Sequence, residues 1–111
     1  MTTNPKRGET KIYRPEGRID ANCATSFAQY LNEAIRKGTR TLILDFSTTE
    51  YLSSVGLRVL RDINVNLEDL GGKMILCGAS KSLMDLFKVV HLDQLIPIYA
   101  TKAEALASLE E

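Results

Sequence analysis

The chain has 111 residues, of which 44% are hydrophobic and 25% charged, a composition that suits one compact globular domain. Fourteen basic residues balance fourteen acidic ones, so no net charge draws the chain to nucleic acid or to an anionic membrane. The apolar runs are about five residues long, far below the roughly 20 that span a bilayer. The sequence therefore predicts a cytoplasmic protein without membrane insertion.

The first 40 or so residues predict an arm, a strand and a helix. Residues 1–8 show no hydrophobic period and are expected to form a flexible arm, so that the domain spans residues 9–111. The segment "TKIYRPEGRID" predicts a strand, in which Pro15 favours an edge or a bulge because proline cannot donate to a ladder. Apolar residues then recur at four-residue intervals over roughly residues 23–37, which indicates an amphipathic helix that Gly38 ends.

The centre of the chain predicts a strand, a helix and a second strand. "TLILDF" and "KMILC" are uninterrupted apolar runs, which favour strands covered on both faces, as in a parallel sheet between helical layers. Between them the loop "STTEYLS" leads into a second helix, whose residues Leu57, Leu60 and Ile63 keep the spacing of one buried face. These three elements predict one βαβ unit.

The last third predicts two more helices around a short strand. Ser80 is expected to cap the helix "SKSLMDLFKVV", and Thr101 with Glu104 forms a capping-box pattern before the final helix. "QLIPIYA" between them predicts the last strand. The whole pattern predicts a single α/β domain, with a mixed sheet of four to five strands and about four helices packed largely on one face.

The segment "YLSSVGLRVLRD" carries the strongest functional signal. Ser54 is expected to be the N-cap of the second helix, where a phosphate on its hydroxyl would lie at the positive end of the helix dipole. Gly56 lowers helix propensity by about 1 kcal/mol against Ala, which suggests that something approaches the backbone closely there. A serine that only caps a helix is the competing interpretation.

The motif from "GRID" through "LILDFSTTEYLSSVGLRVL" to "GGKMILCGASKSLMDLF" resembles the STAS domain of bacterial anti-sigma factor antagonists, over roughly residues 12–106. The resemblance implies that Ser54 accepts phosphate from an anti-sigma factor that is a serine kinase. Two positions depart from the family pattern. Ser53 stands where the family usually has aspartate, and Val55 stands where it usually has a second serine or threonine. Asp45 matches a strand-end position that varies in the family.

The resemblance also implies a mechanism and a binding surface. An unmodified antagonist of this family binds the anti-sigma factor and frees a sigma factor, and phosphate on the serine ends binding. The predicted partner-binding residues lie around the start of the second helix: Asp20, Ser53, Ser54, Val55, Gly56 and Arg58. For Asp20, a simple helix-capping role remains an equal alternative. The predicted protein is a monomer or a weak dimer.

Two rival functions differ in class from this one. A constitutive STAS adaptor or scaffold, in a transport or signalling complex, would use the same fold without phosphorylation. An enzyme is disfavoured because the sole histidine, His91, is not placed near Ser54 by the sequence, and "SSVG" lacks the first glycine of a nucleophile elbow. Cys23 and Cys77 show no metal or redox spacing and predict buried or half-buried reduced thiols, so no metal or cofactor is expected.

Overall fold

The computed structural model describes residues 8–109 and builds them into six strands, four helices and one short 3-10 helix. The strands are β1 (Glu9–Tyr13), β2 (Gly17–Ile19), β3 (Thr39–Asp45), β4 (Thr49–Leu52), β5 (Lys73–Cys77) and β6 (Ile98–Tyr99). The helices are α1 (Ala21–Arg36), α2 (Ser54–Asp69), α3 (Lys81–Val89) and α4 (Lys102–Ala107), and the 3-10 helix is Leu92–Gln94. Most of the arm predicted for residues 1–8 lies outside the described residues.

The strands form two separate sheets. Four of them lie in the order β1-β3-β5-β6, and β2 pairs with β4 in a small second sheet, the β2–β4 ribbon. Every pairing among the described residues is parallel, which differs from the mixed pairing that we expected. The predicted βαβ unit is confirmed, because α2 lies between the parallel neighbours β3 and β5, but the connection also contains β4, in the segment that we expected to be a loop. The α/β fold class is confirmed as well.

The predicted strand around Pro15 is two strands. The first strand ends at Tyr13. The Pro15 carbonyl accepts hydrogen bonds from the hydroxyls of Thr48 and Thr49 at 3.0 and 2.7 Å. These bonds turn the chain away from the edge of the main sheet and into the ribbon. β1 itself is one of the two edge strands of the four-stranded sheet, where a nearby proline is tolerated.

The four-stranded sheet is covered on both faces, as its uninterrupted apolar runs predict. Leu42 and Leu44 of β3 point into the larger core, which α1, α2 and α3 close. Ile43, between them, points to the opposite face, where it packs with Ile75 and with Ala105 of α4. Three helices therefore share one face and one helix covers part of the other, which agrees with the expected arrangement.

Two predicted helix caps are confirmed. The Ser80 hydroxyl accepts a hydrogen bond from the Leu83 amide at 3.2 Å, and the Thr101 hydroxyl accepts one from the Glu104 amide at 3.1 Å. Each bond satisfies an amide of the first turn that has no partner inside the helix. α3 and α4 therefore begin where the sequence predicts.

Candidate functional site

The β2–β4 ribbon places the starts of α1 and α2 side by side. Ile19 and Leu52 are paired at the end of the ribbon, and the Ser53 amide donates to the Ile19 carbonyl at 2.9 Å. Asp20 follows Ile19 and begins α1, while Ser53 follows Leu52 and begins α2. Because the two strands are parallel, both helices leave the ribbon at the same end. The positive ends of two helix dipoles therefore lie on one side of the molecule.

Ser53, and not Ser54, is the N-cap of α2. Its hydroxyl accepts a hydrogen bond from the Gly56 amide at 3.1 Å, and its carbonyl accepts the first helical bond from Leu57 at 2.9 Å. The prediction that Ser54 caps this helix is wrong by one residue. Only 8% of Ser53 is exposed, so its hydroxyl is covered as well as occupied.

Ser54 is the first residue of α2 and lies exposed on the surface. Its hydroxyl makes no hydrogen bond to any other group within residues 8–109. A phosphate at this position would meet the unpaired amides of the first turn and the positive end of the dipole. Of the two adjacent serines, only Ser54 has a hydroxyl that is both exposed and without a hydrogen bond in the described part of the chain.

Gly56 is needed because α2 packs tightly on the β2–β4 ribbon. A Cβ atom at this position would lie 2.7 Å from the Cδ1 methyl of Leu52 and 3.3 Å from the Cγ2 methyl of Ile19. The close approach that the sequence suggested is therefore internal. Gly56 is buried, so the predicted partner-binding role cannot be a direct contact of this residue, and only its neighbours on α2 are accessible from outside.

The exposed surface next to Ser54 contains two residues that the sequence predicted and two that it did not. Val55 is 45% exposed, and Arg58 is exposed one turn further along α2. On the ribbon, Tyr51 is 41% exposed, and the Arg18 guanidinium carbon lies 4.4 Å from the centre of its ring. No sequence pattern identifies Tyr51 as a surface residue, because residues 49–52 are buried, exposed, exposed and buried in turn and so do not alternate.

Asp20 caps α1 and is half-buried at its start. One carboxylate oxygen, Oδ1, accepts a hydrogen bond from the Cys23 amide at 3.0 Å. This bond is the main reason that the pKa of the Asp20 carboxyl lies below its ordinary value, and the positive charge of Arg18 adds to the effect. The capping alternative is thus confirmed, while the partner-contact role stays a prediction.

The remaining candidate groups lie elsewhere in the fold. His91 is exposed at the end of α3, with a left-handed backbone at φ 63°. Asp45 ends β3 and is buried, and its carboxylate accepts a hydrogen bond from the Ser47 amide at 3.0 Å. Burial raises the pKa of the Cys77 thiol to about 11, so that this residue is a neutral core thiol. Cys23 is exposed, and the expectation that it is buried or half-buried is wrong.

No three residues of the types that ligate metals come together within residues 8–109. Over the same range, each helix is too short or too polar to cross a membrane.

Comparisons with known proteins agree on one family. A family model described as "STAS domain" matches residues 2–105. The chain is similar to an anti-sigma F factor antagonist of Paenibacillus polymyxa, with 26% identity over 100 residues that cover 89% of this chain and 86% of that protein.

Solved structures show the same fold. The phosphorylated form of the Bacillus cell fate determinant SpoIIAA matches with a TM-score of 0.73 and 22% identity, covering 92% of each chain. The unphosphorylated form of SpoIIAA matches with a TM-score of 0.80 and 24% identity, covering 91% of this chain and 88% of that one.

Proposed function

This chain belongs to the STAS domain family, and we propose that it acts as an anti-sigma factor antagonist controlled by phosphorylation of Ser54. In its unmodified form it binds an anti-sigma factor that is also a serine kinase, and so frees a sigma factor. Phosphate on Ser54 ends this binding. The relative from Paenibacillus polymyxa, which is named an anti-sigma F factor antagonist, supports the proposal.

The observation that carries the proposal is the contrast between the two serines at the start of α2. Ser53 is buried and its hydroxyl holds the Gly56 amide, whereas Ser54 is exposed and its hydroxyl makes no hydrogen bond within residues 8–109. A kinase can reach the second hydroxyl without disturbing the helix cap. The kinase would transfer the γ-phosphoryl group of ATP to Ser54 Oγ, take up the hydroxyl proton and release ADP.

The physical basis of the switch is a change of charge on a small surface. The chain carries no formal net charge, and phosphate on Ser54 adds between one and a half and two negative charges at the start of α2. A partner that docks on the neutral hydroxyl of Ser54 and on the apolar side chain of Val55 would have to desolvate or repel that charge. The neighbouring helix amides stabilise the phosphate within the free protein, so the fold itself tolerates the modification.

In the proposed function the protein acts by binding and not by catalysis. Nucleophilic serine chemistry needs a base within hydrogen-bonding reach, and Ser54 has no such contact among the described residues. The proposal places the protein in the cytoplasm, where sigma factors and their regulators act.

Incubation with the anti-sigma kinase of the same cells and ATP tests the modification. Mass spectrometry should find one phosphate, on Ser54, in the native chain and none in Ser54→Ala. Ser53→Ala and Ser80→Ala remove serines that the structure shows as caps, and both variants should still be phosphorylated. Phosphate on Ser53 or Thr49, or phosphate retained by Ser54→Ala, would contradict the assignment.

Titration calorimetry with the same anti-sigma factor tests the effect on binding. Ser54→Asp should weaken binding at least about tenfold, because it places a carboxylate at the centre of the docking surface. Ser80→Asp is the matched control, since it adds the same charge at the start of another helix and aspartate is also a good cap. Equal affinity for Ser54→Asp and the native chain would favour a constitutive adaptor.

A further inference from the structure

The exposed face of α2 carries four residues that we call the α2 stripe: Val55, Arg58, Asp62 and Val65. Their spacing of three, four and three residues places them on one side of the helix. Arg58 and Asp62 are exposed, and the two valines are 45% and 56% exposed. Arg58, Asp62 and Val65 also line one shallow depression together with the exposed Arg61, which lies beside the stripe on the adjoining side of the helix.

The order of these residues is self-complementary. Leu60 lies midway, with Arg58 two residues before it and Asp62 two residues after it, and with a valine five residues away on either side. We propose that the α2 stripe binds the same stripe of a second copy of this chain, with the two helices antiparallel about a two-fold axis at Leu60. Each Arg58 then faces the partner's Asp62, and each Val55 faces the partner's Val65.

The charges of the α2 stripe are available for this contact. The ion pairs within residues 8–109 join Glu33 to Arg36 and Lys37, and Lys81 to Asp85, on α1, its C-cap and α3. Neither Arg58 nor Asp62 takes part in them, so no internal ion pair has to break. Within the stripe itself, one cation, one anion and an apolar residue at each end are matched in sign and position by a second copy, which favours a copy of this chain over a partner of one dominant charge. Arg61 adds one positive charge at the side of this contact.

The length of the α2 stripe sets the strength of the contact. Val55 and Val65 are ten residues apart, about 15 Å along the helix axis. A single helix face of this length buries less than the roughly 1,200–2,000 Å² of a standard stable interface. The dimer is therefore weak and forms at high protein concentration. It would cover Val55 and Arg58, next to Ser54, and would compete with any protein that docks there.

Sedimentation equilibrium of the full chain at low salt tests the contact. The native protein should move from 12.3 kDa towards twice that mass as its concentration approaches about 1 mM. Arg58→Asp and Asp62→Arg should each raise the dimer Kd about tenfold, because either change sets two like charges against each other. The double variant R58D/D62R restores both ion pairs in reverse and should return the Kd close to its native value.

Two controls make the result decisive. Lys102→Asp changes the net charge by the same amount as Arg58→Asp at an exposed position on α4, and its Kd should be native. Circular dichroism of each variant checks that the fold is retained. A native chain that stays monomeric at 1 mM, or a double variant no tighter than the single ones, would overturn the proposal. No kinase or phosphate enters this experiment, so its outcome is separate from that of the proposed function.

Discussion

Helices α2 and α3 begin with the same hydrogen bond but present different surfaces. Ser53 and Ser80 each accept a bond from the amide three residues ahead, at 3.1 and 3.2 Å. Ser53 is 8% exposed, whereas Ser80 is exposed. In α2 the hydroxyl that caps and the hydroxyl that is free belong to two residues, and in α3 the exposed serine is itself the cap. Exposure alone therefore does not identify a serine that a kinase could modify without loss of the cap.

The third residue of each helix explains why Ser53 is buried and Ser80 is exposed. In α3 this residue is Leu83, a buried side chain that fills the core below the first turn. In α2 it is Gly56, where the absence of a side chain lets the helix lie directly on Ile19 and Leu52. The first turn of α2 thus sits closer to the layer beneath it, and that proximity buries Ser53.

Gly56→Val should produce the largest effect, because it forces α2 away from the ribbon. We expect a loss of about 2 kcal/mol in the free energy of unfolding, from overpacking against the methyl groups of Leu52 and Ile19. Gly56→Ala should lose less, about 1 kcal/mol, since its Cβ still lies too close to the Leu52 methyl group but a gain of about 1 kcal/mol in helix propensity offsets part of the clash. Urea denaturation measures both, and a valine variant as stable as the native chain would show that the contact is not tight.

Removing the serine caps of α2 and α3 should lower stability by different and smaller amounts. Ser53→Ala should cost about 1–2 kcal/mol, because it leaves the Gly56 amide unpaired in a buried place. Ser80→Ala should cost about 0.5–1 kcal/mol, since water can replace the lost bond at its exposed position. Ser54→Ala should change stability by less than about 0.5 kcal/mol. Urea denaturation measures these losses. Equal losses for Ser53→Ala and Ser54→Ala would contradict the assignment of Ser53 as the N-cap of α2.

The charged cap of α1 should make stability depend on pH, which the neutral caps of α2 and α3 do not. We expect this effect to be the smallest of the three. The pKa of Asp20 is lowered in the folded chain, so its stabilisation is present above the ordinary value of 3.8 and is lost as the pH falls through the folded value. Asp20→Asn keeps a good cap without a titrating group. The stability of the native chain relative to this variant should decline as the pH falls from about 6 to about 2. A constant difference would mean that the Asp20 charge does not contribute.

The sequence predicted the elements with strong periodicity and missed those held by tertiary contacts. β5 and the caps of α3 and α4 lie where apolar runs and capping residues indicated. β4 was interpreted as a loop because its four residues, flanked by polar ones, carry too short a pattern to stand out. Its pairing with β2 depends on the turn at Pro15, whose carbonyl is held by residues 33 and 34 positions away. Local sequence preferences cannot predict a contact between residues so far apart in the chain.

The same limit applies to the site. The sequence identified the serine turn, but two adjacent serines are equally good caps, and local preference cannot choose between them. The choice is made by the ribbon, because the Ser53 amide is fixed to the Ile19 carbonyl and the helix can begin only after it. Arg18 and Tyr51 were missed for a related reason, since their stacking depends on the pairing of β2 and β4.

The burial of position 53 changes the meaning of this chain's two departures from the family sequence. A side chain that points inward and holds a helix amide can be either serine or aspartate, because both accept that bond well. The exchange at Ser53 is therefore neutral for any molecule that approaches from outside. The exchange at Val55 is different, since that side chain faces outward, and it replaces a hydroxyl with an apolar group on the exposed surface beside Ser54. The anti-sigma factor of the proposed function should accordingly be sensitive to the residue at position 55 and insensitive to an exchange of Ser53 for aspartate.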